Sequence, residues 1–173
     1  QHGGRPAAAE AAVATYPDAQ GPRSQCAPGA AAFEWWQREG SDDDDEASGK
    51  LDEFICHVQR VLATYGGNLL QLTLGDKGAY LYAVFGSPQA HEDDAARSAA
   101  AALELRALDS VTAATEIQIG ITYGRLHSGT YGHRDRQAFA CLGDAVNLAA
   151  RLMVKAPPGQ IYVAHTVRES AGD

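Results

Sequence analysis

Positive charge is scarce in this sequence. Its 14 Lys and Arg stand against 22 Asp and Glu, a formal net charge of −8. A nucleic-acid binder meets phosphates with a basic face, so this balance argues against that class. No run of 18 apolar residues occurs, and no membrane span is expected. The start lacks the charged opening and long apolar block of a signal peptide. Cysteine is sparse too. Cys26, Cys56 and Cys141 are odd in number, far apart and form no C-x-x-C pair, which suggests neither a disulfide framework nor a zinc site. The expected setting is reducing and cytoplasmic. A Walker glycine loop, a serine nucleophile elbow and an H-E-x-x-H pair are all missing, so kinase and protease readings lose support.

What remains is a globular composition of 45% hydrophobic and 8% aromatic residues over 173 positions, enough for one domain to bury a core unaided. The composition divides in two. In residues 1–32, Ala, Gly and Pro fill 19 positions, and no Leu, Ile, Phe, Met or Trp occurs. Such a stretch buries too little apolar surface to offset chain entropy, and it is expected to be largely disordered. Phe33, Trp35 and Trp36 follow, then the acidic run Asp42–Glu46, read as a solvated loop rather than a metal site. Residues 1–50 carry a net −5 and residues 51–173 a net −3. The expected division is a low-complexity, acidic segment over 1–50, disordered or replacing a first strand, and a folded domain over 51–173.

From Leu51 the pattern is regular. Leu51, Phe54, Ile55, Val58, Val61, Leu62 and Tyr65 share one helical face, and Gly66-Gly67 ends the helix. Asn68–Leu74 and Ala79–Phe85 read as strands joined by the turn Gly75-Asp76-Lys77-Gly78, and so as a hairpin. Gly86-Ser87-Pro88 breaks the chain before an Ala-rich helix over His91–Leu108, whose first turn is acidic. Ile117, Ile119, Ile121 and Tyr123 mark the core side of a strand over Glu116–Tyr123, with Ser128–Tyr131 as its partner after a bend. A short strand, Phe139–Leu142, feeds a helix over Asp144–Met153, with Asp144 as its cap. Ile161–Ala164 is a last strand. This order predicts an α+β fold, with helices on one side of a mainly antiparallel sheet.

The most informative stretch is Leu142-Gly143-Asp144-Ala145-Val146-Asn147-Leu148-Ala149-Ala150-Arg151-Leu152. Asn147 and Arg151 lie one helical turn apart on one face, among apolar or small neighbours. An amide can hold a ribose, and a guanidinium can hold phosphate oxygens in a fork. The residues alone equally permit a structural ion pair for Arg151, and both readings stay open at this point.

Together, GDAVNLAARL, the hairpin GDKGAYLYAVFG, the following HEDDAARSAAAALEL and the strand IQIGITYGRLHSGTYG resemble the class III adenylate/guanylate cyclase catalytic domain. The likeness leans toward the second cyclase domain of soluble-adenylyl-cyclase-like proteins and spans roughly Leu51–Arg168. It implies a ferredoxin-like α+β fold, incomplete here at both ends, that works as a head-to-tail pair with a second cyclase domain. It also implies ATP as substrate and two Mg²⁺ or Mn²⁺ ions, held mainly by the partner domain. In the family one domain supplies a Lys that reads adenine, an Asn that orients the ribose and an Arg that steadies the transition state. The matching positions are Lys77, Asn147 and Arg151. The position facing the adenine edge falls at Ala140, beside Cys141. The loop with His133, Arg134 and Arg136 would lie near the triphosphate.

The departures concern the metal site. Nothing upstream of Leu51 looks like the family's first strand with its metal aspartate, and the second aspartate position falls on Ala79 rather than Asp76. The sequence therefore suggests the metal-free half of a cyclase, in intracellular signal transduction. A shifted reading frame upstream of Leu51 would account for the unusual start. The rival readings are an inactive, cyclase-like regulatory module that binds a nucleotide or small anion, and an unstable fragment. Whatever the class, the nucleotide reading requires a seam. Asn147 and Arg151 turned into solvent, or locked inside with no cleft beside them, would count against it.

Overall fold

The computed structural model describes residues 25–37, 45–75, 78–107 and 115–172. The elements are β1 (Gln25–Gln37), α1 (Asp45–Thr64), β2 (Asn68–Gly75), β3 (Gly78–Val84), α2 (Asp94–Ala107), β4 (Thr115–His133), β5 (Arg136–Leu142), α3 (Asp144–Lys155), β6 (Ile161–Val163) and α4 (His165–Ala171). The sheet runs β2-β3-β1-β4-β5, antiparallel throughout, and β6 adds to β4 in parallel beyond the end of β5. This is the expected α+β class.

Period-2 patterning divides the core. Leu81, Ala83 and Phe85 after β3, with Ile117, Ile119 and Ile121 of β4, pack on Phe54, Val58, Val61 and Leu62 of α1, on Ala95, Ala101, Ala102 and Leu105 of α2, and on Val167 of α4. The alternate residues Tyr82 and Val84, with Leu126 and Cys141, pack on Ala149 and Met153 of α3. The helices are therefore not all on one side: α3 lies on the face opposite α1, α2 and α4. The sequence reading missed this because the β4 residues beneath α3 are small and polar, a pattern that looks like a solvent face.

Several boundaries differ from expectation. A strand, β1, covers Gln25–Gln37, so residues 25–32 are ordered where disorder was expected; residues 1–24 lie outside the described residues. Backbone pairing gives β1 its order, to β3 from Ala31 to Trp36 and to β4 from Gln25 onward. Pro28 falls where β1 pairs on one side only, a place that tolerates a missing donor. Helix α1 starts at Asp45, six residues before the apolar face begins. Its other end closes as expected. Gly66 takes φ 77°, Gly67 N–H donates to Leu62 O at 2.8 Å and Gly66 N–H to Ala63 O at 3.2 Å, the paired bonds of a left-handed cap.

Helix α2 begins at Asp94, later than expected, with His91 just ahead of it. The His91 N–H donates to the buried Asp94 carboxylate at 2.8 Å, and its ring Nδ1 lies 3.2 Å away. Strand β4 does not bend before Ser128; it runs 19 residues unbroken and turns only at Arg134-Asp135, so β5 is its partner. The seven-residue α4, anchored by Val167, was not foreseen.

Candidate functional site

The site is built where β5 enters α3. Gly143 occupies the N-cap position of α3 without a side-chain cap bond, and Asp144 is the first helical residue rather than the cap expected from sequence. An acid there still complements the helix dipole. Helix α3 is strongly two-sided. Ala149 and Met153 are buried, and Ala145, Val146 and Ala150 pack partly beneath them. Asn147, Leu148, Arg151, Val154 and Lys155 form the outer face. On or beside that face Leu142, Leu148 and Val154 are 52%, 44% and 68% exposed.

Asn147 and Arg151 stand one turn apart on this outer face and are both exposed. Among the described residues neither side chain makes a hydrogen bond or ion pair. This removes the structural ion pair as an account of Arg151 there. It also means that a single chain turns the two side chains to solvent, which counts against a nucleotide grip by this chain alone and makes that reading depend on a second domain over this face.

The other expected residues are distributed unevenly. Lys77 and Asp76 lie outside the described residues. Gly75 pairs with Gly78 across the mouth of their hairpin. Ala79 pairs with Leu74 and Trp36 along β3. Ala140 is half-buried on β5 opposite Gly129. Cys141 is 3% exposed and belongs to the core cluster under α3, so its thiol is a packing group rather than an open lining. Burial pushes that thiol up to about 11, with the nearby Ser87 hydroxyl pulling the other way. Burial also raises the neighbouring Tyr82 phenol.

The basic cluster His133, Arg134 and Arg136 is a tight hairpin end, not a loop. It carries its own acid: Asp135 lies 3.0 Å from His133 Nδ1 and 3.7 Å from Arg134 Nε. His127 is exposed on β4. Among the described residues no three His, Cys, Asp or Glu side chains gather. The resemblance places the two ions mainly on the partner domain.

Sequence reasoning missed the bed on which α3 lies. Gly120, Thr122 and Gly124 alternate along β4 beneath the helix. The signal was present as two glycines four positions apart on one face of a strand, which marks close backbone approach.

Residues 46–172 match the family model described as the adenylate and guanylate cyclase catalytic domain. The chain belongs to this family. It is 28% identical over 142 residues to human adenylate cyclase type 10; that alignment takes in 80% of this chain and 9% of the human protein. In fold it is similar to the guanylyl cyclase Cya2, with a TM-score of 0.75, 24% identity and coverage of 87% of this chain and 81% of that one. It is also similar to the adenylyl cyclase CyaB from P. aeruginosa, with a TM-score of 0.74, 21% identity and coverage of 86% and 82%. At these identities the two structures speak for the fold of the cyclase domain. No helix among the described residues is long and apolar enough to cross a membrane.

Proposed function

We propose that this cyclase domain is the substrate-orienting half of a nucleotidyl cyclase, forming cyclic AMP and pyrophosphate from ATP at an interface with a second cyclase domain. The observation that carries this reading is the outer face of α3. It presents Asn147 and Arg151 one turn apart, uncommitted among the described residues and flanked by the exposed apolar side chains Leu142, Leu148 and Val154. Exposed apolar residues around a polar pair suit a face that a partner covers.

In the proposed reaction the ribose 3′-oxygen attacks the α-phosphorus and loses its proton, and the bond to the bridging oxygen of the leaving pyrophosphate breaks. Asn147 would hold the ribose so that the 3′-oxygen lies in line with that bond. Arg151 would place a fixed cation where charge builds on the phosphate oxygens. Lys77, with Ala140 and Cys141, would bound the base. Cys141 would act only from behind, as packing. The Mg²⁺ or Mn²⁺ ions would be held mainly by the partner domain and would supply charge neutralisation at the phosphates when bound.

The test mixes this chain with a metal-bearing cyclase domain and measures cyclic AMP and pyrophosphate. The mixture is expected to turn over and the lone chain to be nearly inactive. Arg151→Ala and Asn147→Ala should each lower the rate by about 10²–10³. Wild-type rates in both variants would overturn the assigned roles.

A second reading is an inactive regulatory module that binds a nucleotide or small anion. Ala79 and the half-buried apolar Ala140 favour it. ATP binding that is indifferent to Mn²⁺ and yields no product would select the module.

A further inference from the structure

Helix α3 rests on strand backbone. Gly120, Thr122 and Gly124 present one face of β4 to it, at alternate positions. A Cβ placed on Gly120 would lie 2.5 Å from Met153 N, 3.1 Å from Leu152 Cβ and closer still to Ala149 O. A Cβ on Gly124 would meet Ala145 Cβ at 3.2 Å. Between the two glycines Thr122, 1% exposed, donates its hydroxyl proton to Ala145 O at 2.7 Å.

These contacts divide the work. Two glycines make a bed that brings the helix close but offers no ridge against which it can lock. A hydrogen bond from a stiff β-branched side chain to one carbonyl of the first turn is directional, and it fixes both height along the axis and rotation about it. The carbonyl has two lone pairs, so Ala145 O can accept from Thr122 and still serve the helix. Ala145 precedes Asn147 by two residues, and Ala149 lies midway between Asn147 and Arg151. A slip of one residue along the axis is about 1.5 Å. Misplacement by about 1 Å can cost a reaction roughly 10²-fold.

We propose that Thr122, bedded between Gly120 and Gly124, is a positioning residue that sets the reach of Asn147 and Arg151 into the interdomain seam. This inference rests on the cyclase reading above.

The experiment compares Thr122→Val, which keeps the shape and loses the donor, with Thr122→Ser, which keeps the donor. Both are made in the full chain and assayed with a metal-bearing cyclase domain. Hydrogen exchange of the α3 amides is followed in the same proteins without the partner. Thr122→Val is expected to lower kcat by about 10–100-fold with KM for ATP within about threefold, and Thr122→Ser to return kcat to within about threefold of wild type. The α3 amides should exchange at least about tenfold faster in Thr122→Val and at wild-type rates in Thr122→Ser. Equal losses in the two variants, or an unchanged kcat in Thr122→Val, would overturn the proposal. If the wild-type mixture makes no cyclic nucleotide, the cyclase reading fails by itself. Exchange then decides the seat: α3 loosened only by Thr122→Val supports it, and α3 unchanged overturns it. Gly120→Ala should damage turnover at least as much. Because it forces backbone apart and can prevent folding, the Thr122 pair carries the decision.

Discussion

Raising the pH should destabilise this domain through one buried thiol. Cys141 has an ordinary value of 9.0 and sits at about 11 in the fold, chiefly because burial disfavours the thiolate. As pH rises past 9.0 the unfolded chain gives up the proton first, while the native chain keeps it until about 11. The native state then holds more protons than the unfolded one, so stability falls with rising pH across that window. Two pH units at about 1.4 kcal/mol each amount to roughly 3 kcal/mol. That is a large share of the 5–15 kcal/mol typical of a domain. Tyr82, raised in the same direction by burial, extends the loss beyond pH 10. The assay is urea unfolding at pH 7.5, 9, 10 and 11 for wild type, Cys141→Ala and Tyr82→Phe. Cys141→Ala starts lower, for want of the sulfur in the core, but should lose much less between pH 9 and 10. Wild type and Cys141→Ala with the same slope in that interval would refute the assignment.

Other expected outcomes concern the helices. Asn147→Ala and Arg151→Ala, both on the outer face of α3, should change stability by less than about 0.5 kcal/mol in chemical denaturation; a loss above about 2 kcal/mol would mean that they are structural. Gly66→Ala forces a side chain into the left-handed region 3.4 Å from His91 Cε1 and should cost about 1–2 kcal/mol, read as a lower Tm. Val167→Ala removes the one buried side chain of α4 and should cost roughly 2 kcal/mol by the same assay. Leu148→Glu with Val154→Glu should leave the Tm of the lone chain within about 2 °C and weaken association with a metal-bearing cyclase domain at least about tenfold, measured by sedimentation.

The parts of the fold that were legible in sequence are those whose side chains do the packing. The face from Leu51 to Tyr65, the β2–β3 hairpin and the alternation Ile117, Ile119, Ile121 all read correctly because each buries apolar groups at its own period. The parts that were not legible are held by backbone. Strand β1 has Pro28, Gly29 and three consecutive alanines, a pattern without alternation, and its order comes from partners on both sides. The α3 face of β4 looked like a solvent face because a helix backbone, rather than side chains, fills the space above Gly120. That Asn147 and Arg151 share the outer face of one helix was legible from their spacing. The burial of Cys141 was not, because it depends on Tyr82 reaching the same core from a strand three places away in the sheet.

The place of β1 also bears on how the chain assembles. It is the earliest element described, yet it ends between β3 and β4, partners that are synthesised some 40 to 100 residues later. Strands lie about 4.8 Å apart, so without β1 a gap of roughly 9.6 Å would separate the β2–β3 hairpin from β4 and the elements attached to it. Two half-sheets would wait, each with an open edge, until this earlier-made strand closed the seam from within. A truncation that deletes this strand should therefore yield two loosely joined lobes rather than a slightly smaller domain.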